Sequence, residues 1–283
     1  MLIHDRNLCL YLSFLQDNIG PLLNHFYLKV TTEEVDKPPN TYQLNETCRG
    51  LVVIFNYMKF DNKSLKHRSG ALTDSENLKS VFEQMNYVVE IKPDLTRDVT
   101  LANLVDIRQR VDHDSLILFF LSHGKGENTF YTKDAGRSLS VNRIMYHFTN
   151  TLCPSLKGKP KILLFNFCRG NSNEQSNLES DGDQDSDEDS EQEDIEIDGN
   201  PRIPQEAPKD MDLVHASLPG IMAARSKSTG TIFVNSLCNI LCESAQTKDL
   251  HDIVTETSKL SQKKGGTTAS HTPIDMVKKF YFM

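Results

Sequence analysis

Tryptophan is missing from this 283-residue chain, so no pocket in it can have an indole wall. No run approaches the roughly 20 apolar residues that span a bilayer, which excludes a helical membrane protein. Nor do residues 1–30 read as an export signal: Asp5, Arg6, Asp17 and His25 interrupt the apolar residues, and no small-residue cleavage site follows. The six cysteines (Cys9, Cys48, Cys153, Cys168, Cys238 and Cys242) show no metal-ligand spacing. They read as free thiols in a reducing compartment, with no metal site expected. No internal repeat is visible, and no glycine-rich phosphate loop follows a strand-like run. These absences leave the expectation of a cytoplasmic globular protein with no cofactor and with neither nucleic acid nor membrane as partner.

What is present is ordinary in bulk, with 38% hydrophobic and 25% charged residues. The length suits one large α/β domain or two small ones. The net charge of −8 is not spread evenly. Thirteen of the 39 acidic residues, and no Lys or Arg, fall between Asn171 and Gly199, so the rest of the chain carries 26 acidic residues against 31 basic ones. A segment this acidic and this poor in apolar residues cannot recover its self-repulsion by burial, and it reads as a linker over residues 171–210. It serves either as a solubilising loop or as a place for proteolysis. Two Asp-Gly steps, at Asp181 and Asp198, have the look of cleavage sites.

The flanking regions alternate strands and helices. Leu51-Val-Val-Ile-Phe-Asn56, Ser115-Leu-Ile-Leu-Phe-Phe-Leu121 and Lys161-Ile-Leu-Leu-Phe-Asn-Phe167 are continuous apolar runs, as expected of strands covered on both faces. Tyr87–Lys92, Met211–Ala216 and Met276–Met283 complete six predicted strands. A capping box, Thr73 with Glu76, predicts a helix bearing Leu78, Val81, Phe82 and Met85. Thr96 predicts another through about Val111, and Val141–Phe148, Thr231–Glu243 and Leu250–Leu260 read as helices. The fold expected is a three-layer α/β sandwich with a mostly parallel, six-stranded central sheet flanked by helices.

In parallel sheets, ligands bind beyond the carboxyl ends of the strands. Two apolar strands end in reactive groups there, one running into Ser122-His123-Gly124 and the other into Cys168-Arg169-Gly170. A thiol and an imidazole on one edge suit nucleophilic acyl transfer, with the imidazole managing protons. The amides of Gly124 and Cys168 are then the natural oxyanion donors. Taken singly, such a cysteine is more often a buried small hydrophobe, and such a histidine a surface group. The pairing of the two, each followed by glycine, favours the reactive reading.

At these residues the chain resembles the caspase family, whose signature is Gln-Ala-Cys, then Arg, Gln or Gly, then Gly, with a histidine about 50 residues upstream. The matching stretch is Asn166-Phe167-Cys168-Arg169-Gly170, with His123 upstream. Arg49-Gly50, Arg68-Ser69-Gly70, Leu218-Pro219-Gly220, Gly230-Thr231-Ile232-Phe233 and Lys279-Phe280-Tyr281-Phe282 extend the similarity to the end of the chain. The resemblance implies Cys168 as nucleophile, His123 as general acid/base, and Gly124 with Cys168 as oxyanion hole. It implies cleavage after aspartate, held by Arg68, Arg225 and the residue at Asn166, with charge reversal at either arginine expected to abolish that cleavage and leave the fold intact. It also implies a zymogen laid out as a short N-terminal prosegment (1–36), a large-subunit-like region (37–181) and a small-subunit-like region (199–283). Processing would fall at Asp198, Asp181 or Asp36, the last releasing the prosegment. The implied partners are protein substrates with aspartate before the cut, a homodimer or heterodimer with another caspase through the last predicted strand, and inhibitor-of-apoptosis-type proteins.

Departures from the family pattern cluster in the substrate pocket. Asn166 stands for glutamine and Phe167 for alanine, while Met222, Ala223 and Ile232 replace a tyrosine, a serine and a tryptophan. Two readings of different class follow: an active aspartate-directed protease with altered upstream preference, or a weak relative that regulates an active caspase by dimerising. A metacaspase- or paracaspase-like specificity for basic residues is disfavoured by Arg68 and Arg225, and a flavodoxin-like binder predicts no reactivity of Cys168.

Overall fold

A computed structural model describes residues 26–31, 35–170, 206–220, 225–226 and 230–283. Apolar runs become the central strands: β1 (Gly50–Asn56), β3 (Leu116–Leu121) and β7 (Lys161–Asn166) are buried along their whole length. With β2 (Tyr87–Pro93), β8 (Met211–His215) and β11 (Ser270–Ile274) they form one sheet in the order β2-β1-β3-β7-β8-β11. Neighbouring strands are parallel except for β11, which runs antiparallel at one edge. This is the expected mostly parallel, six-stranded α/β arrangement.

Strand periodicity divides the core in two. Val52, Ile54, Ile117, Phe119, Ile162 and Leu164 face one cluster, together with α1 (Ala71–Gln84), α4 (Ile232–Ser244) and α5 (Leu250–Lys263). Leu51, Val53, Leu116, Leu118, Leu163 and Phe165 face the other, with α2 (Arg97–Arg110) and α3 (Val141–Tyr146). Each fully buried Leu, Ile or Phe contributes roughly 1.5–3 kcal/mol. The register sets Phe55, Phe120 and Phe165 side by side on three adjacent strands. Their rings stack at centroid separations of 4.9 and 5.4 Å, so strand order and register are reinforced by aromatic packing.

Two expectations are corrected. First, α1 starts at Ala71, not after Thr73: its N-cap is Gly70, at φ 87°, with no side-chain cap. A left-handed turn there suits glycine, and Asp74 and Ser75 in the first turn are buried rather than solvated. Thr73 and Glu76 therefore make no capping box. Second, the sixth strand is Ser270–Ile274, whereas residues 276–283 make only isolated bridges at Lys279 and Tyr281. The closing Phe280 and Phe282 are apolar because they pack into the core of their own chain. The edge of the sheet beside β8 accordingly belongs to β11 and not to the last eight residues. A small sheet that no sequence pattern signals, β4 (Gly124–Gly126), β5 (Thr129–Tyr131) and β6 (Ser138–Ser140), follows β3 directly. Strands of three residues are too short to show a period.

Candidate active site

β3 and β7 are parallel and adjacent, with Leu121 paired to Asn166. The Ser122 amide donates to the Asn166 carbonyl at 3.2 Å, so the register persists just past the strands and brings Ser122-His123-Gly124 beside Phe167-Cys168-Arg169. Gly124 shows how close the two loops are. A Cβ built there would lie 1.7 Å from the Cys168 carbonyl oxygen and 2.8 Å from its carbon. Glycine is required by this backbone approach, not by a left-handed φ, since Gly124 is absent from the positive-φ residues. Both Cys168 and His123 are half-buried, and so open to a reactant from the carboxyl edge.

The imidazole of His123 is fixed from outside the strand. Its Nε2 lies 2.7 Å from the Lys66 carbonyl, and its ring sits 5.1 Å from that of Phe60 at a tilt of 46°. A carbonyl only accepts, so Nε2 carries the proton and the neutral ring keeps its lone pair on Nδ1. A second histidine close to the cysteine loop, His215, packs against Phe165 and Phe167. Burial, then the charge of Arg169, pushes its pKa down to about 4, so near neutrality it is an uncharged imidazole and not an imidazolium acid.

Arg169 braces the loops. Its Nε donates to the Glu127 carbonyl at 2.8 Å and its Nη2 to Asn128 Oδ1 at 3.2 Å, while its own carbonyl accepts from the Gly220 amide at 3.0 Å. Phe167 is fully buried against Phe130 at 5.3 Å. The bulk that distinguishes it from alanine is packed into the core cluster on that face, with the ring edge 3.2 Å from where a Cβ on Gly124 would lie.

Arg68 is buried, with 1% of its surface exposed. Its Nη1 donates to Tyr57 and Leu121 carbonyls at 2.8 and 3.0 Å and to Asn56 Oδ1 at 3.2 Å, so the guanidinium sits across the ends of β1 and β3. Asn56 is itself held by donating to the Ala71 carbonyl and Ser75 Oγ. Asn166, at the end of β7, donates from Nδ2 to Thr231 Oγ1 at 2.8 Å, and its Oδ1 is buried without a hydrogen-bond partner among the described residues. Thr231 caps α4, and its amide donates to Asp74 Oδ1 at 2.8 Å. In the two-stranded ribbon β9 (Arg225–Ser226) and β10 (Gly230–Thr231), Arg225 is paired to Thr231. The backbone of Arg225 is thereby placed next to the residue that holds Asn166.

The structure thus gathers His123, Gly124, Cys168, Arg68, Asn166 and the Arg225 backbone at one end of the sheet. Met222, Ala223, Asp181 and Asp198 lie outside the described residues, whereas Asp36 is described and exposed. The Lys66 carbonyl, Phe60, Asp74 and Asn56 are parts of the site that the sequence does not single out. Only Asn56 left a signal, a polar residue closing an otherwise apolar strand. Among the described residues there is no cluster of metal-ligating side chains, and no helix is long and apolar enough to cross a membrane.

A family model of the caspase domain matches residues 49–281. The chain is 29% identical over 234 residues to a Caspase-1 of Spodoptera frugiperda, covering 80% of this chain and 72% of that one. It is 30% identical over 229 residues to a Caspase-1 of Drosophila melanogaster, covering 78% and 65%. The crystal structure of Caspase-1 from Spodoptera frugiperda superposes with a TM-score of 0.68, at 24% identity over 90% of this chain and 97% of that one. That of the Drosophila initiator caspase Dronc gives 0.69 at 19% identity. Both likenesses speak for the fold.

Proposed function

Because the chain belongs to the caspase family of cysteine peptidases, we propose that it is an endopeptidase that cuts after aspartate, with Cys168 as nucleophile. The observation that carries this reading is the register of β3 and β7, which sets the Cys168 and His123 loops against each other through Gly124. The Cys168 thiol gives its proton to Nδ1 of His123, and sulfur attacks the scissile carbonyl carbon. Negative charge on the carbonyl oxygen is received by the amides of Gly124 and Cys168. The imidazolium then protonates the leaving amine, and water, deprotonated by the same ring, hydrolyses the thioester. The Lys66 carbonyl and the Phe60 ring keep the imidazole in the tautomer and orientation that these steps need.

For the aspartate side chain, Arg68 and Arg225 supply cationic forks suited to a carboxylate. Asn166 complicates the pocket. With Nδ2 committed to Thr231, its unpartnered Oδ1 would repel a carboxylate. A hydroxyl can donate as well as accept, so turning the amide over lets Thr231 donate to Oδ1 and frees both N–H groups. Activation by cleavage at Asp198 or Asp181, a cytoplasmic setting, service in apoptosis-type signalling and a working dimer complete the proposal, with Asp36 as a further processing site. The orientation of Asn166 also favours a second reading, a weak enzyme that regulates an active relative by dimerising with it.

The test is hydrolysis of an Ile-Glu-Ile-Asp reporter, the sequence that precedes the candidate cut at Asp198. Linker-cleaved protein is expected to exceed its Cys168→Ala counterpart by at least a thousandfold. Equal rates would remove the enzyme reading, and stimulation of an active caspase on mixing would then support the regulatory one.

A further inference from the structure

Residues 26–31 precede the candidate processing site at Asp36, in what the sequence presents as a detachable leader. In the fold they are attached on two sides. Phe26 is buried in the cluster between the sheet, α1 and α4, with 8% of its surface exposed. Gln84, at the end of α1, clasps the backbone by donating to the Phe26 carbonyl at 2.9 Å and accepting from the Leu28 amide at 3.3 Å. Gln246, just past α4, does the same from the other side, accepting from the Thr31 amide at 2.9 Å and donating to the Thr31 carbonyl at 3.2 Å. Between them the Lys29 amide donates to the Cys242 carbonyl at 2.8 Å, satisfying one of the carbonyls that the last turn of a helix leaves open. The Lys29–Glu243 ion pair on the surface adds little.

The two anchoring sites lie on opposite sides of the acidic segment in the sequence. Gln84 belongs to the region before it, and Cys242 and Gln246 to the region after it. We infer that residues 26–31 are an intramolecular clamp, seated in the groove between α1 and the end of α4, that ties the two regions together and is a fixed part of the fold rather than a removable leader. Amide side chains that grip backbone at both ends hold an extended segment by its main chain, and Phe26 supplies the apolar anchor that side-chain amides cannot. The clamp does not rest on the protease reading. If the linker is cut as that reading has it, the clamp bridges the two resulting chains and opposes their separation.

Hydrogen exchange on full-length Cys168→Ala protein, which cannot cut itself, tests this directly. The Lys29 and Thr31 amides are expected to exchange at least 100-fold more slowly than in an unstructured peptide. Phe26→Ala should abolish that protection and lower Tm by roughly 5–10 °C, while Gln246→Ala, a milder change at a half-buried position, should lower it by a few degrees. Exchange at free-peptide rates in the parent protein would overturn the inference, as would an unchanged Tm and unchanged protection in Gln246→Ala. Because none of these readouts measures peptidase activity, they stand or fall apart from the proposed function.

Discussion

Gly124→Ala is expected to lower kcat/KM on an aspartyl reporter by at least about 100-fold, the scale of a displacement near 1 Å at reacting groups. The added methyl would sit 1.7 Å from the carbonyl oxygen of Cys168, well inside any permitted contact. Neither neighbour is a flexible side chain that can swing aside. Both are backbone at the ends of fully buried strands, so the His123 and Cys168 loops must part. Parting them separates the imidazole from the thiol and moves one oxyanion donor away from the other. The two effects act on the same step, so the loss should appear in kcat more than in KM. The rate of alkylation of Cys168 by a small neutral reagent reports on the thiol alone and should change far less. An alanine variant with full turnover would show that the two loops are not in contact.

Arg68→Glu is expected to prevent folding, or to cost about 3–5 kcal/mol and drop Tm by roughly 10 °C or more. The expectation that reversing this charge spares the fold is contradicted by the burial of Arg68. The guanidinium is enclosed, and its Nη1 serves two carbonyls and one amide oxygen. A carboxylate in that place would face three oxygen acceptors with no proton to offer them. Arg68→Lys separates pocket from fold. It keeps a cation and a donor but loses the planar fork, so the protein should fold while kcat/KM on an aspartyl substrate falls by about 10- to 100-fold. Melting curves and kinetics on the two variants check this together. A soluble, well-folded Arg68→Glu protein would place the side chain outside the core.

How legible the fold was depended on whether a segment's chemistry and its surroundings pointed the same way. Leu51–Asn56, Leu116–Leu121 and Lys161–Asn166 are apolar on both faces because helices cover both faces, and a continuous run states that directly. Ser270–Ile274 is an edge strand with polar residues and Pro273, and it carries no strand signal, whereas Phe280–Phe282 carries one and is core packing instead. The candidate site divides the same way. Cys168 and His123 were readable because each ends an apolar strand and is followed by glycine. The support around them was not. Lys66 acts through its backbone carbonyl, which any residue could provide, and Asp74 meets Thr231 across 157 residues of sequence. Pocket geometry at Asn166 likewise depends on a threonine 65 residues away, and no local pattern reveals such a partner.

One measurement bears most directly on the thiol–imidazole pair beside a cationic pocket. Linker-cleaved protein would be treated with a peptidyl electrophile ending in aspartate and, in parallel, with its asparagine counterpart, then analysed by intact mass and peptide mapping. The account predicts one adduct per chain, on Cys168, formed at least 100-fold faster from the aspartyl reagent and strongly slowed in His123→Ala. Equal labelling by the two reagents, or an adduct spread over Cys48 and Cys168 alike, would contradict it.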